Sequence, residues 1–173
     1  MVRILLLILV CTTAGCNFHQ KQIPADYKKY SFDTSVIGKL PLYDSLAVSI
    51  LESYPLFQNL INKDASYRAY RYMPLSDDKE IFKKLPGKGT EKISQYINRL
   101  GKDFIYGFDL FKDSTIKIYV RKSYSNQLRV DVRENLSYYP PGNNIRRRDP
   151  PARDTVLNRN WLYWISFDER GIF

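Results

Sequence analysis

FIYGFDLFKDSTIKIYVRKSYSNQLRVDVRENL, residues 104–136, decides the fold. Apolar residues alternate with polar ones at a period of two, the signature of strands with one buried face. Phe104, Tyr106, Phe108 and Leu110 share one face of a first strand. Ile116, Ile118 and Val120 share a face of a second, and Leu128, Val130 and Val132 a face of a third. A three-residue loop, Lys112-Asp113-Ser114, sets Leu110 opposite Ile116 and Phe108 opposite Ile118. On the other face the same register sets Asp109 opposite Lys117 and Gly107 opposite Tyr119. Opposite charges, and an aromatic ring over a glycine, are favourable cross-strand pairs. An odd-length second loop then brings Arg121 opposite or diagonal to Asp131.

Working outward, helices precede this meander. Tyr43, Leu46, Ala47, Ile50, Leu51 and Tyr54 recur at helical spacing and form one apolar stripe. Pro55 ends or kinks that helix, and Phe57, Leu60 and Ile61 suggest a further turn. Residues 66–73 alternate weakly, as an edge strand would. Ser76 can cap a short helix with Ile81, Phe82 and Leu85 on its apolar side. A clearer helix starts at the Thr90 cap, carries Ile93, Tyr96, Ile97 and Leu100, and stops at Gly101. After the meander, residues 137–159 hold four prolines and the run Arg146-Arg147-Arg148, and are expected to be a long irregular loop. WLYWISF, residues 161–167, is a last strand, too apolar on both faces to be an exposed edge. The expected fold class is α+β: an antiparallel meander of about four strands with two or three helices packed on one face.

The N-terminal residues carry an address. MVRILLLILVCTTAGC, residues 1–16, has a basic Arg3, an apolar run from Ile4 to Val10, and small residues Thr13, Ala14 and Gly15 before Cys16. That is the layout of a secretory signal, and the run is shorter than the roughly 20 residues of a membrane span. Small residues before a cysteine resemble the lipobox of bacterial lipoproteins, with Thr13 where leucine is commonest. The resemblance covers residues 1–16 and implies cleavage before Cys16, lipidation of its thiol and acylation of its new amine, as in palmitate-bearing lipoproteins. It divides the chain into a signal peptide (1–15), a lipidated cysteine and tether (16–40), and one α+β domain (41–173). It implies a chain anchored in the bacterial envelope, on the periplasmic side of the outer membrane. Both cysteines, Cys11 and Cys16, lie in this region, so the domain is expected to stand on packing without a disulfide.

Composition narrows the chemistry. His19 is the single histidine and no cysteine follows Cys16, which argues against thiol catalysis and His/Cys metal centres. PGKGT at 86–90 lacks the spacing of a phosphate-binding loop. Carboxylates are dispersed, and Asp109 and Asp131 are expected to be salt-bridged on the outer sheet face. No enzyme, cofactor or metal is expected. The net charge is +9, and it gathers in two places. The outer sheet face is expected to carry Lys117, Tyr119, Arg121, Arg129 and Arg133. The loop carries Arg146, Arg147, Arg148 and Arg153, with at least one arginine free for a partner and none needed for stability. Export makes nucleic acid an unsuitable target. The expected function is therefore a non-enzymatic binding module facing an acidic protein or an anionic envelope component. The alternative is an immunity-type lipoprotein that neutralises a toxic periplasmic enzyme.

Overall fold

A computed structural model describes residues 30–63, 69–74, 84–126, 130–148 and 152–169. Cys16, Arg129, Leu128 and the expected helix after Ser76 lie outside these residues. In chain order the elements are α1 (Thr34–Gly38), α2 (Leu40–Glu52), α3 (Tyr54–Lys63), β1 (Ala69–Tyr72) and α4 (Glu91–Leu100). They are followed by β2 (Gly107–Phe111), β3 (Ile116–Ser125), β4 (Val130–Tyr138), β5 (Arg153–Val156) and β6 (Trp161–Glu169). The strands form one antiparallel sheet in the order β1-β2-β3-β4-β6-β5.

The α+β class stands, with six described strands where the sequence suggested about four. The first hairpin has the expected register: Leu110 pairs with Ile116, Phe108 with Ile118, Asp109 with Lys117 and Gly107 with Tyr119. Residues 104–106 differ from expectation. They lead into β2 as a turn, and the Tyr106 ring packs 5.5 Å from Tyr119 instead of joining the core. β1 is the edge strand expected near residues 66–73. β6 lies inside the sheet between β4 and β5, as its two apolar faces require.

The helices cover one face, here called inner. Tyr43, Leu46, Ala47 and Ile50 of α2, Phe57 and Ile61 of α3, and Ile93 and Leu100 of α4 are buried. They meet Tyr70, Phe108, Leu110, Ile116, Ile118, Val120, Leu136, Tyr138, Trp161 and Tyr163 from the sheet. Pro55 sits in the first turn of α3, where a missing N–H costs nothing. Gly101 ends α4 at φ 78°, a conformation that side chains disfavour. Thr90 precedes α4, but its hydroxyl donates to the Gly87 carbonyl rather than capping the helix.

Two sequence-based boundaries move. Residues 30–40, expected as tether, are part of the domain: Tyr30 and Phe32 pack on Val130, Val132, Ile165 and Phe167 beyond the reach of the helices. Asp33 caps α1 by accepting from the Ser35 N–H at 2.8 Å. Within 137–159, the first two residues complete β4 and residues 153–156 form β5. Residues 139–148 and 157–159 keep an irregular path, and the first of these stretches runs over the outer face of the sheet.

Candidate functional site

Strand parity and one bulge determine which cations share the outer face. Alternation places Arg71, Asp109, Lys117, Tyr119, Arg133, Asn135, Ser137, Leu162 and Trp164 there. The β3–β4 register shifts between Tyr119 and Arg121, which leaves Val120 as an extra residue. A bulge turns two consecutive side chains to the same side. Arg121 therefore follows Val120 to the inner face and pairs with Glu134, not with Asp131. There it contacts Asp33 at 3.0 Å and Glu134 at 3.6 Å, and Tyr163 donates to Glu134. Asp131 pairs instead with Lys122, at 3.2 Å.

Arg153 also departs from the expected cluster. It faces the inner side, donates to the Tyr30 carbonyl and lies over the Phe32 ring. Both corrected arginines thus fasten the segment before α1 to the sheet.

On the outer face, the Asp109–Lys117 register does not become an ion pair. Asp109 is 2% exposed, and its carboxylate takes a two-pronged contact from Arg71 at 2.7 and 2.8 Å. The Tyr119 hydroxyl donates to the same carboxylate at 2.6 Å and accepts from Arg71 at 3.0 Å. Removing one partner from such a buried pair typically costs about 3–5 kcal/mol. Burial, with Asp109 beside it, pushes the Tyr119 phenol well above its ordinary value.

Lys117 is left between rings. Its Nζ stands 4.4 Å from the centre of the Tyr119 ring and 4.7 Å from that of Trp164. Among the described residues no carboxylate lies within 4 Å of it. Burial pulls its pKa from 10.5 to about 8; Asp109 opposes that shift, while repulsion from Arg148, Arg71 and Arg133 adds to it.

The loop brings the second cation. The Arg148 guanidinium lies 4.5 Å from the centre of the Trp164 ring. Its Nη2 donates to Ser137 Oγ at 3.1 Å, and the Trp164 indole N–H donates to the same oxygen at 3.0 Å. Ser137 faces Lys117 directly across the β3–β4 ladder. One hydroxyl thus fixes both the ring and the guanidinium beside Lys117. Among the described residues, the buried Nε of Arg148 has no acceptor. The loop is pinned because Asp154 takes the Arg148 backbone N–H at 2.6 Å and the Arg147 guanidinium at 2.5 Å. Tyr139, Ile145 and Ala152 close over Leu162 and Trp164.

The arginine run therefore divides its work. Arg147 holds Asp154, Arg148 stacks on Trp164, and Arg146 has an exposed side chain on the rim of a cleft. That cleft, of about 390 Å³, has a floor of Phe111, Thr115 and Tyr139 and walls that include Asn143, Arg146 and Arg148. Arg148 both lines the cleft and lies against the Trp164 ring. Of the remaining expected residues, Arg133 is on the outer face and reaches Asp168 at 3.0 Å.

Arg71, Ser137 and Trp164 were not singled out from sequence. The signal for Trp164 was present, because a strand apolar on both faces needs a second cover, and the loop supplies it. The described residues contain no group of three or more His, Cys, Asp or Glu able to hold a metal ion. They also contain no helix long and apolar enough to cross a membrane. Comparison with family models, curated proteins and solved structures finds no match.

Proposed function

We propose that this chain is a lipid-anchored, non-enzymatic module of the bacterial envelope that binds an acidic partner through the outer face of its sheet. The observation that carries the reading is the convergence of Lys117 and Arg148 on Trp164, with no carboxylate within 4 Å of the Lys117 ammonium or the Arg148 guanidinium among the described residues. Half-buried cations that repel each other are poorly compensated within the chain. An anion at 4 Å gains about 4 kcal/mol from each charge at an effective dielectric constant near 20, before desolvation is counted. Arg146 at the cleft rim extends the same field towards solvent. The anchor rests on the lipobox resemblance of residues 1–16.

Binding of the full chain to anionic envelope components is tested at several salt concentrations. Lys117→Gln/Arg148→Gln is compared with Lys112→Gln/Arg159→Gln, which removes the same charge from exposed positions. The first pair should lose binding and flatten its salt dependence, while the second retains most of both. Equal losses would leave only net charge at work and would overturn the reading.

A further inference from the structure

The proposed binding face has a centre whose chemistry can be named. We propose that Lys117 and Arg148, held against Trp164, bind the phosphate group of a phosphomonoester, and that binding is coupled to protonation of Lys117. The inference rests on the anion-binding reading above and adds the ligand class and the linkage.

Three observations carry it. First, the site offers two cations, and a phosphomonoester is close to a dianion at neutral to mildly alkaline pH. Asp109, the nearest carboxylate in the register, is already occupied by Arg71 and Tyr119. Second, Arg148 is oriented before any ligand arrives: Ser137 holds one end of its guanidinium and Trp164 its face. Among the described residues this group of five donors makes one side-chain hydrogen bond, and its buried Nε lacks an acceptor. Third, Arg148 also lines the cleft floored by Phe111, Thr115 and Tyr139, so an ester group attached to the phosphate has a place to lie.

The coupling arises from the groups around Lys117. It faces Tyr119 on its own strand, Asp109 on β2, Arg71 on β1, Arg133 and Ser137 on β4, Trp164 on β6, and Arg148 in the loop. Burial is the main reason the neutral amine becomes accessible near pH 8; Arg148, Arg71 and Arg133 act in the same direction and Asp109 opposes them. A bound phosphate reverses that balance and favours the ammonium form. By reciprocity, phosphate affinity falls as pH rises through the same range.

Calorimetric titration of the full chain with inorganic phosphate at pH 8, in buffers of different ionisation heat, tests the proposal. Wild type should bind phosphate and take up part of a proton for each ion bound. Lys117→Arg keeps the charge without the titration, so it should still bind but take up markedly less. Lys117→Gln should weaken binding by at least about tenfold, whereas Lys112→Gln should not. Glucose 1-phosphate should bind more tightly than inorganic phosphate if the cleft holds the ester group. Equal proton uptake by wild type and Lys117→Arg would overturn the coupling, and unchanged affinity in Lys117→Gln would overturn the site. Loss of envelope binding in Lys117→Gln/Arg148→Gln without any phosphate binding would sink this inference alone, leaving the proposed function standing.

Discussion

Lys117 is where the chain accepts an electrostatic cost. Its pKa falls from 10.5 in the unfolded reference to about 8 in the fold, so between those values the unfolded chain holds a proton that the folded chain has released. Stability then rises with pH across that window. Replacing the charge with an apolar side chain of similar length should remove the cost. Lys117→Met is expected to be more stable than the parent by about 1–2 kcal/mol at pH 7, after discounting for its partial exposure. The advantage should vanish by about pH 10.5, as measured by urea denaturation across the pH series. Raised tyrosine pKa values such as that of Tyr70 lower stability at higher pH, but they act on parent and variant alike. An unchanged or reduced stability at pH 7 would mean that the aromatic sandwich outweighs desolvation. At this scale the sequence was partly legible. The Asp109–Lys117 register could be read from alternation, because pairing depends only on strand spacing. The switch of Asp109 to Arg71 could not, because it depends on an edge strand whose own alternation is weak.

Among the elements, the first hairpin was the most readable, since its apolar phase, its turn length and Gly107 all agree. Gly107 has a further reason to lack a side chain: a Cβ there would lie 2.5 Å from the Tyr72 carbonyl oxygen and 2.8 Å from Met73. Gly107→Ala should push β1 away from β2 at a cost of about 1–3 kcal/mol. Amide exchange should show Ala69–Tyr72 losing protection while β4 and β6 keep theirs, and uniform protection would count against that contact. The bulge at Val120 was not legible, because inserting one residue leaves the local apolar pattern intact and shifts only the facing of later side chains. It carried Arg121 off the outer face. The proline-rich loop was legible as irregular, but its role was not. Asp154 and Trp164 make it a structural cover, contrary to the expectation that its arginines are dispensable for stability. Arg148→Ala should lower the melting temperature, with a loss of about 1–3 kcal/mol from the stacked guanidinium and its hydrogen bond. Arg146→Ala should leave stability unchanged. Equal effects of the two would mean that Arg148 makes no special contribution to the cover.

On the scale of the whole molecule, the sheet divides two kinds of work. Its inner face builds the core with the helices, and its outer face holds charge under a short loop. Tyr30, Phe32 and Asp33 tie the chain entry to the inner face, through Phe167, Tyr163 and Arg121. With the proposed anchor at Cys16, residues 17–29 then set the reach from the membrane, at most about 45 Å for thirteen extended residues. Labelling cells with a palmitate analogue should mark wild type and not Cys16→Ser, and equal labelling would remove the anchor from the account. The proposed address rests on a local pattern, a short apolar run followed by small residues and a cysteine. The proposed binding face was legible only in part, because it joins β1, β2, β3, β4, β6 and the loop.

The two tryptophans provide the most direct test of that face. Trp164 lies on the outer side with its indole N–H on Ser137, and Trp161 lies in the core with its indole N–H on Asp44. Titrating the isotope-labelled full chain with inorganic phosphate, followed by NMR at both indoles and the Lys117 side chain, reads the two sides at once. Phosphate binding at the outer face predicts saturable shifts at Trp164 and Lys117 with a common midpoint, and a stationary Trp161. Stationary Trp164 and Lys117 signals, or shifts that rise without saturation across the basic surface, would contradict it.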